Sequence, residues 1–202
     1  MCGIIGYIGD KSASKMILEG LKTLEYRGYD SVGIATIHDK HIHIKKGIGK
    51  IAQVESELDF NKMPGIFGIG HTRWATHGGV TVENSHPHMS NNKEIVVVHN
   101  GIVENFQELS LMLKEKGYKF ESQTDTEIIP NLIQYFMDQF YTFECAFVEA
   151  IKKLSGSSAV VALNKNENKI AFYRNGSPLC IGIGKDEYFI ASDATPLIEY
   201  TN

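Results

Sequence analysis

The 202-residue chain is 43% apolar and 22% charged, which suits one domain with a sizeable core. Its net charge of −4 leaves no basic footprint for nucleic acid and no polybasic patch for an acidic membrane surface. No apolar run approaches the ~20 residues of a membrane span, no signal-peptide pattern opens the chain, and Cys2, Cys145 and Cys180 are too few and too scattered for a disulfide framework, so a reducing compartment and a cytoplasmic location are expected.

The chain opens Met-Cys-Gly-Ile-Ile-Gly. If Met1 is removed, Cys2 carries both a thiol, ordinarily of pKa about 8.5, and a free α-amine of about 7.7–8.0. A neutral amine beside a thiol can serve as its general base, so nucleophile and base would belong to one residue. The bland alternative is a small residue at a chain end.

Gly3 to Ile8 reads as a short buried strand. Ser14 to Tyr26 reads as an amphipathic helix with Ile17, Leu18, Leu21 and Leu24 on one stripe. Arg27-Gly-Tyr-Asp-Ser31 follows it. Arg27 and Gly28 suit a helix C-terminus, and a functional reading is compatible with that. Ser31 to Lys46 looks like two strands joined at Asp39-Lys40. Ile66 to Gly70 is a strand-length apolar run. It leads into His71-Thr-Arg-Trp-Ala-Thr-His-Gly78, which packs the only Trp, a guanidinium and two imidazoles into eight residues. The planar fork of Arg73 suits a carboxylate. His86-Pro-His88 is the best metal-like pair, but with no Cys or acidic cluster nearby a structural role is the better reading; no metal and no cofactor are expected.

Ile95 to His99 is a further β-branched run, ending in Asn100-Gly101. Asn-Gly is the strongest hairpin dipeptide, so a tight turn is one expectation. The other is an oxyanion hole, in which the Asn100 amide and the Gly101 backbone N–H face developing negative charge. Val103 to Lys116 carries a helical pattern stopped by Gly117. Thr124-Asp-Thr-Glu127 fits a capping box that starts a helix, with Pro130 kinking its first turns or delaying its start. Asp125 there suits the helix dipole or, functionally, a substrate ammonium. Thr142 caps another helix running to Leu154, which would place Cys145 as a small core residue. Four strand-like runs close the chain: Ala159–Leu163, Lys169–Tyr173, Leu179–Ile183 and Tyr188–Ala191. Segregated strands and helices favour antiparallel sheets covered by helices, an α+β fold. A self-activated thiol, oxyanion donors, an Arg and an Asp fit an amino acid with a side-chain carbonyl. The residues alone leave glutamine or asparagine hydrolysis as one candidate among several, beside a module that binds such an amino acid without turnover.

Beyond that point the chain resembles a known family over essentially its whole length, residues 1–202. Met1-Cys-Gly-Ile-Ile-Gly is similar to the opening of class II glutamine amidotransferases. Leu24-Glu-Tyr-Arg-Gly-Tyr-Asp-Ser31, His71-Thr-Arg-Trp-Ala-Thr-His-Gly78, His86-Pro-His88, Val96-Val-Val-His-Asn-Gly-Ile-Val-Glu-Asn105, Thr124-Asp-Thr-Glu127, Gly176-Ser-Pro-Leu179 and Ile190-Ala-Ser-Asp193 narrow the resemblance to the glutaminase domain of the glutamine–fructose-6-phosphate aminotransferase (glucosamine-6-phosphate synthase) family.

The resemblance implies a four-layer αββα N-terminal-nucleophile hydrolase fold with two stacked antiparallel sheets. It implies Met1 removal, attack of Cys2 on the L-glutamine side-chain amide, and release of glutamate and ammonia. Asn100 and Gly101 would form the oxyanion hole. Arg73 would take the α-carboxylate and Asp125 the α-ammonium. Thr76 and His77 would complete the specificity pocket, Arg27 would support the nucleophile, and Trp74 would act as a lid. The family's enzyme carries two sugar-isomerase domains after this one, absent from this sequence, which supply the fructose 6-phosphate site and most of a homodimer contact; the domain alone would hydrolyse glutamine as a monomer.

Overall fold

In the computed structural model, which describes residues 2–75 and 78–201, alternation of side chains along the strands decides the architecture. Strand β1 (Gly3–Ile8) is followed by helix α1 (Ala13–Leu24), a 3-10 turn at Glu25–Arg27, and the hairpin β2 (Ser31–His38) and β3 (His41–Ile48). Then come α2 (Ile51–Leu58), β4 (Phe67–Arg73), β5 (His88–Met89), β6 (Ile95–Gly101) and α3 (Phe106–Glu115). The chain continues through α4 (Ile128–Met137), α5 (Phe143–Lys153), β7 (Ser158–Asn164), β8 (Ile170–Asn175), β9 (Cys180–Ile183) and β10 (Tyr188–Ala191).

The strands form two antiparallel sheets. One has the order β3-β2-β4-β1-β10-β9, the other β5-β6-β7-β8. On β1, Ile5 and Tyr7 pack with Ile17, Leu18, Leu21 and Leu24 of α1, whereas Ile4 faces the other way. On β6, Ile95 and Val97 pack under α3, α4 and α5, whereas Val96 and Val98 turn inward. Ile4, Ala35, Ile37, Phe67, Ile69, Val96, Val98, Val161 and Ile190 therefore meet between the sheets, all 5% exposed or less. Helix, sheet, sheet and helix layers follow in order, the αββα arrangement expected of an N-terminal-nucleophile hydrolase.

The hairpin turn lies at Asp39-Lys40, both with positive φ (48° and 60°), as a two-residue loop matching strand twist requires. Three expectations need correction. Asn100-Gly101 is no turn: β6 runs through it, pairing Asn100 with Ala159 and Gly101 with Ser158. Thr124–Glu127 is no capping box. Thr124 makes no side-chain cap bond, and the Glu127 carboxylate reaches back to accept the N–H groups of Glu121 (2.9 Å) and Ser122 (2.7 Å). Helix α4 starts late, at Ile128, so Pro130 falls in its first turn, where a missing N–H costs nothing. Cys145 is exposed: the buried stripe of α5 is Phe143, Ala146, Phe147, Ala150 and Ile151, and Cys145 falls outside it. Thr142 does cap this helix, its hydroxyl accepting from the Cys145 N–H at 3.4 Å.

Candidate active site

The inward face of the sandwich is apolar along most of its length and turns polar at one end. Along β4 the inward positions read Phe67, Ile69, then His71 and Arg73; along β6 they read Val96, Val98, then Asn100. Cys2 precedes β1 on the face that continues with Ile4, and Gly3 pairs with Thr72, which sets Cys2 beside Arg73. Cys2, His71, Arg73, Trp74, His86, His99, Asn100, Gly101, Thr124, Asp125 and Thr126 line one cleft there.

Cys2 is half-buried. Its Sγ accepts the backbone N–H of Trp74 at 3.2 Å, with the Trp74 carbonyl 3.7 Å away. Burial pushes the thiol above its ordinary value, and the Asp30 carboxylate adds to this. The Trp74 N–H and the Arg73 charge work against it. The net effect is a neutral thiol that needs a base.

The Asn100 amide is oriented from both sides. Its Nδ2 donates to the Cys2 carbonyl at 3.2 Å, and its Oδ1 lies 3.0 Å from His71 Nε2. Gly101 has a φ of 132°, and a Cβ there would land on the Ser157 carbonyl, so only glycine fits. Arg73 is 5% exposed and donates from Nη1 to Gly79 O at 3.2 Å. Asp125 accepts the Val103 N–H at 2.6 Å through Oδ2, which fixes its carboxylate at the rim. Thr76 and His77, expected in the specificity pocket, lie outside the described residues, as does Met1.

Arg27 donates from Nη1 to Asp193 Oδ2 (3.0 Å) and to the Ser192 carbonyl (3.3 Å). Ser192 in turn bonds Ile4 twice: its N–H donates to the Ile4 carbonyl and its hydroxyl oxygen accepts the Ile4 N–H, both at 3.0 Å. Through these contacts Arg27 braces the strand two residues beyond Cys2. The Trp74 ring is 53% exposed and lies over Gly28, where a Cβ would come within 2.8 Å of it.

Several contributors went unassigned in the sequence. Asp30 accepts the Ala75 N–H and the Ser31 hydroxyl (3.0 Å), and its own N–H bonds Arg73 O at 2.8 Å, so it shapes the strand end that holds the thiol. Its place in the Arg27–Ser31 stretch was the available signal. Asn84, 2% exposed, ties Gly79 O (2.9 Å), which also accepts from Arg73, to the Gln123 N–H (2.8 Å); nothing local in its sequence marks it.

Beneath the cleft lie four buried imidazoles. His71 and His86 stack with ring centroids 4.0 Å apart, and His86 meets His88 edge-on at 4.8 Å. His99 spans Thr126 (3.0 Å) and Ser158 (3.4 Å). Burial drives His71 down to about 3 and His99 to about 4, and depresses His86 and His88 as well, so all four are neutral near pH 7. His86 serves structure: its Nδ1 accepts the His99 backbone N–H at 3.3 Å. Among the described residues, no three or more His, Cys, Asp or Glu side chains converge to hold a metal ion. No described helix is long and apolar enough to cross a membrane.

Comparison with known proteins agrees with this geometry. A glutamine amidotransferase domain model matches residues 71–199. Glutamine–fructose-6-phosphate aminotransferases [isomerizing] of Pyrococcus horikoshii and Methanococcus maripaludis are 52% and 50% identical over all of this chain, which covers 34% of each. The chain thus spans about a third of the length of the curated relatives it matches. Among solved structures, a glutamine phosphoribosylpyrophosphate amidotransferase from B. subtilis superposes with a TM-score of 0.85 at 28% identity, covering 99% of this chain and 44% of that one. A structure described as the allosteric regulatory enzyme of purine biosynthesis gives 0.87, also at 28% identity and with the same coverage.

Proposed function

As the chain belongs to the glutamine amidotransferase family, we propose that it hydrolyses the side-chain amide of L-glutamine with Cys2 as nucleophile, once Met1 is removed. The observation that carries this reading is the thiol of Cys2 held by the Trp74 N–H, with the Asn100 amide 3.2 Å from the Cys2 carbonyl and Arg73 and Asp125 in the same cleft.

The freed α-amine takes the thiol proton as Sγ attacks the amide carbon. Negative charge moves to the carbonyl oxygen, where the second Asn100 amide hydrogen and the Gly101 N–H stabilise it. Collapse expels ammonia, protonated by the same amine, and leaves a glutamyl thioester. Water then attacks the thioester, the amine accepts its proton, and glutamate leaves as the thiol is restored. Arg73 pairs with the α-carboxylate and Asp125 with the α-ammonium. Thr76 and His77 contribute to side-chain specificity. The Trp74 ring covers the entrance, while Arg27 braces β1 through Ser192 and Asp193.

In a full-length protein of the relatives' size, the ammonia would pass to sugar-isomerase domains that convert fructose 6-phosphate to glucosamine 6-phosphate, in a cytoplasmic homodimer. Residues 1–202 form the glutaminase domain of that assembly. Glutamate release from glutamine by the Met1-processed chain, and its loss in Cys2→Ala at unchanged thermal stability, is the test. Full activity of Cys2→Ala would refute the reading.

A further inference from the structure

The amide of Asn100 can stabilise an oxyanion only if its nitrogen, not its oxygen, faces Cys2. Nothing in the Asn side chain itself prefers one orientation, since the two ends differ by a flip about one bond. The Cys2 carbonyl supplies part of the preference, and the neighbouring His71 supplies the rest from the other side. His71 is 1% exposed, and its Nε2 lies 3.2 Å from the His99 carbonyl and 3.0 Å from Asn100 Oδ1. A backbone carbonyl can only accept, so Nε2 must carry the hydrogen. The same N–H therefore meets an oxygen of Asn100. A flipped amide would set N–H against N–H at His71 and oxygen against oxygen at the Cys2 carbonyl.

Two further contacts hold His71 in this role. The His86 ring stacks on it at an interplanar angle of 14°, which leaves the imidazole little room to rotate. His86 is fixed in turn by the His99 backbone N–H donating to its Nδ1. The carbonyl and the N–H of one residue, His99, thus set both the tautomer of His71 and the seat of the ring that packs on it.

We infer that His71 is a positioning residue of the proposed glutaminase reaction: its Nε2–H locks the Asn100 amide with nitrogen toward Cys2 and so preorganises the oxyanion hole. This inference rests on the function proposed above. His71 touches no substrate in this role. Its loss should therefore lower kcat with little change in KM, because only the charge that develops during reaction needs the oriented amide.

The test uses the processed chain, glutamine as substrate and four variants. His71→Leu removes the donor and is expected to lower kcat about 10- to 100-fold, less than or equal to outright loss of an oxyanion donor, with KM within about threefold. His71→Gln, whose amide N–H can reach Asn100, is expected to restore kcat to within a few-fold. In an Asn100→Ala background, His71→Leu should cost less than about twofold, because the group it positions is gone. Should His71→Leu fail to fold, His71→Asn, whose shorter amide cannot reach Asn100, carries the same expectations. Equal losses in the Leu and Gln variants, a loss confined to KM, or a full multiplicative loss on top of Asn100→Ala would overturn the inference while leaving the proposed function standing. An inactive processed wild type would overturn both.

Discussion

The backbone N–H of Trp74 points at the Sγ of Cys2 from 3.2 Å, so the thiol is held by the end of the neighbouring strand β4. The Trp74 ring lies elsewhere, over Gly28. Backbone and ring of this one residue therefore have separable roles: the first holds the Cys2 thiol whatever the side chain, and the second is the part proposed to cover the cleft.

Two glycines at positive φ should respond differently to alanine. At Gly101 (φ 132°) the new methyl falls on the carbonyl of Ser157, a backbone atom immediately before the paired strand β7 that cannot move alone. Gly101→Ala is expected to cost more than about 3 kcal/mol or to prevent folding. At Gly28 (φ 122°) the methyl meets the half-exposed Trp74 ring, which can swing into solvent. Gly28→Ala should cost about 1–2 kcal/mol, most of it backbone strain. Urea midpoints of the two variants check the order, and equal or reversed losses would contradict it.

Asp30 sets both the local backbone and the local charge. Its carboxylate raises the Cys2 thiol, on top of the larger effect of burial. Asp30→Asn keeps an acceptor for the Ala75 N–H and removes the charge. The pH midpoint for alkylation of Cys2, followed by mass spectrometry of the Cys2 peptide, should fall. An unchanged or higher midpoint would contradict this account.

The buried imidazoles make the fold sensitive to acid. Their folded pKa values, about 3 for His71 and about 4 for His99, lie below the ordinary 6.5, and His86 and His88 are lowered too. Between those values and 6.5 the unfolded chain binds more protons than the folded one, so stability is full above about pH 6.5–7 and is lost as pH falls. At pH 5 unfolding should take up about four protons from these histidines alone, each worth about 1.4 kcal/mol per pH unit. Chemical denaturation across pH 4.5–7.5 gives the slope, and an uptake below about two protons would count against neutral buried histidines.

Arg73 should act on binding more than on chemistry. Arg73→Met removes the charge proposed to pair with the α-carboxylate and is expected to raise KM for glutamine about 10- to 100-fold, with a smaller change in kcat. Unchanged KM would show that the carboxylate sits elsewhere.

What the sequence made legible follows periodicity and short-range chemistry. Gly3–Ile8, the Asp39-Lys40 hairpin and Tyr188–Ala191 were readable because each strand's pattern is local, and the motif residues Cys2, Arg73, Asn100, Gly101 and Asp125 do line one cleft. Helix α2 was missed because only Ile51 and Val54 are buried on it, too few for a stripe, and its first N–H is capped by the distant Glu25 at 2.9 Å. Strand β5, two residues long, has no pattern of its own. Asn100-Gly101 invited a turn because local propensity favours one, yet seven residues of pairing with β7 carry the strand through it. Asn84 and the His71–Asn100 pair are contacts across 39 and 29 residues, and separations of that size leave no trace in a local pattern; the Asp30–Ala75 contact spans 45, and only the place of Asp30 in the Arg27–Ser31 stretch hinted at it.

The intact mass of the protein before and after incubation with a diazoketone analogue of glutamine tests the central claim most directly. Loss of one Met and a single stoichiometric adduct on Cys2, absent in Cys2→Ala, is the expected result, with exposed Cys145 unmodified. Met1-free protein that gains no adduct, or gains it at Cys145 in place of Cys2, would contradict a competent cysteine nucleophile in a glutamine-shaped site.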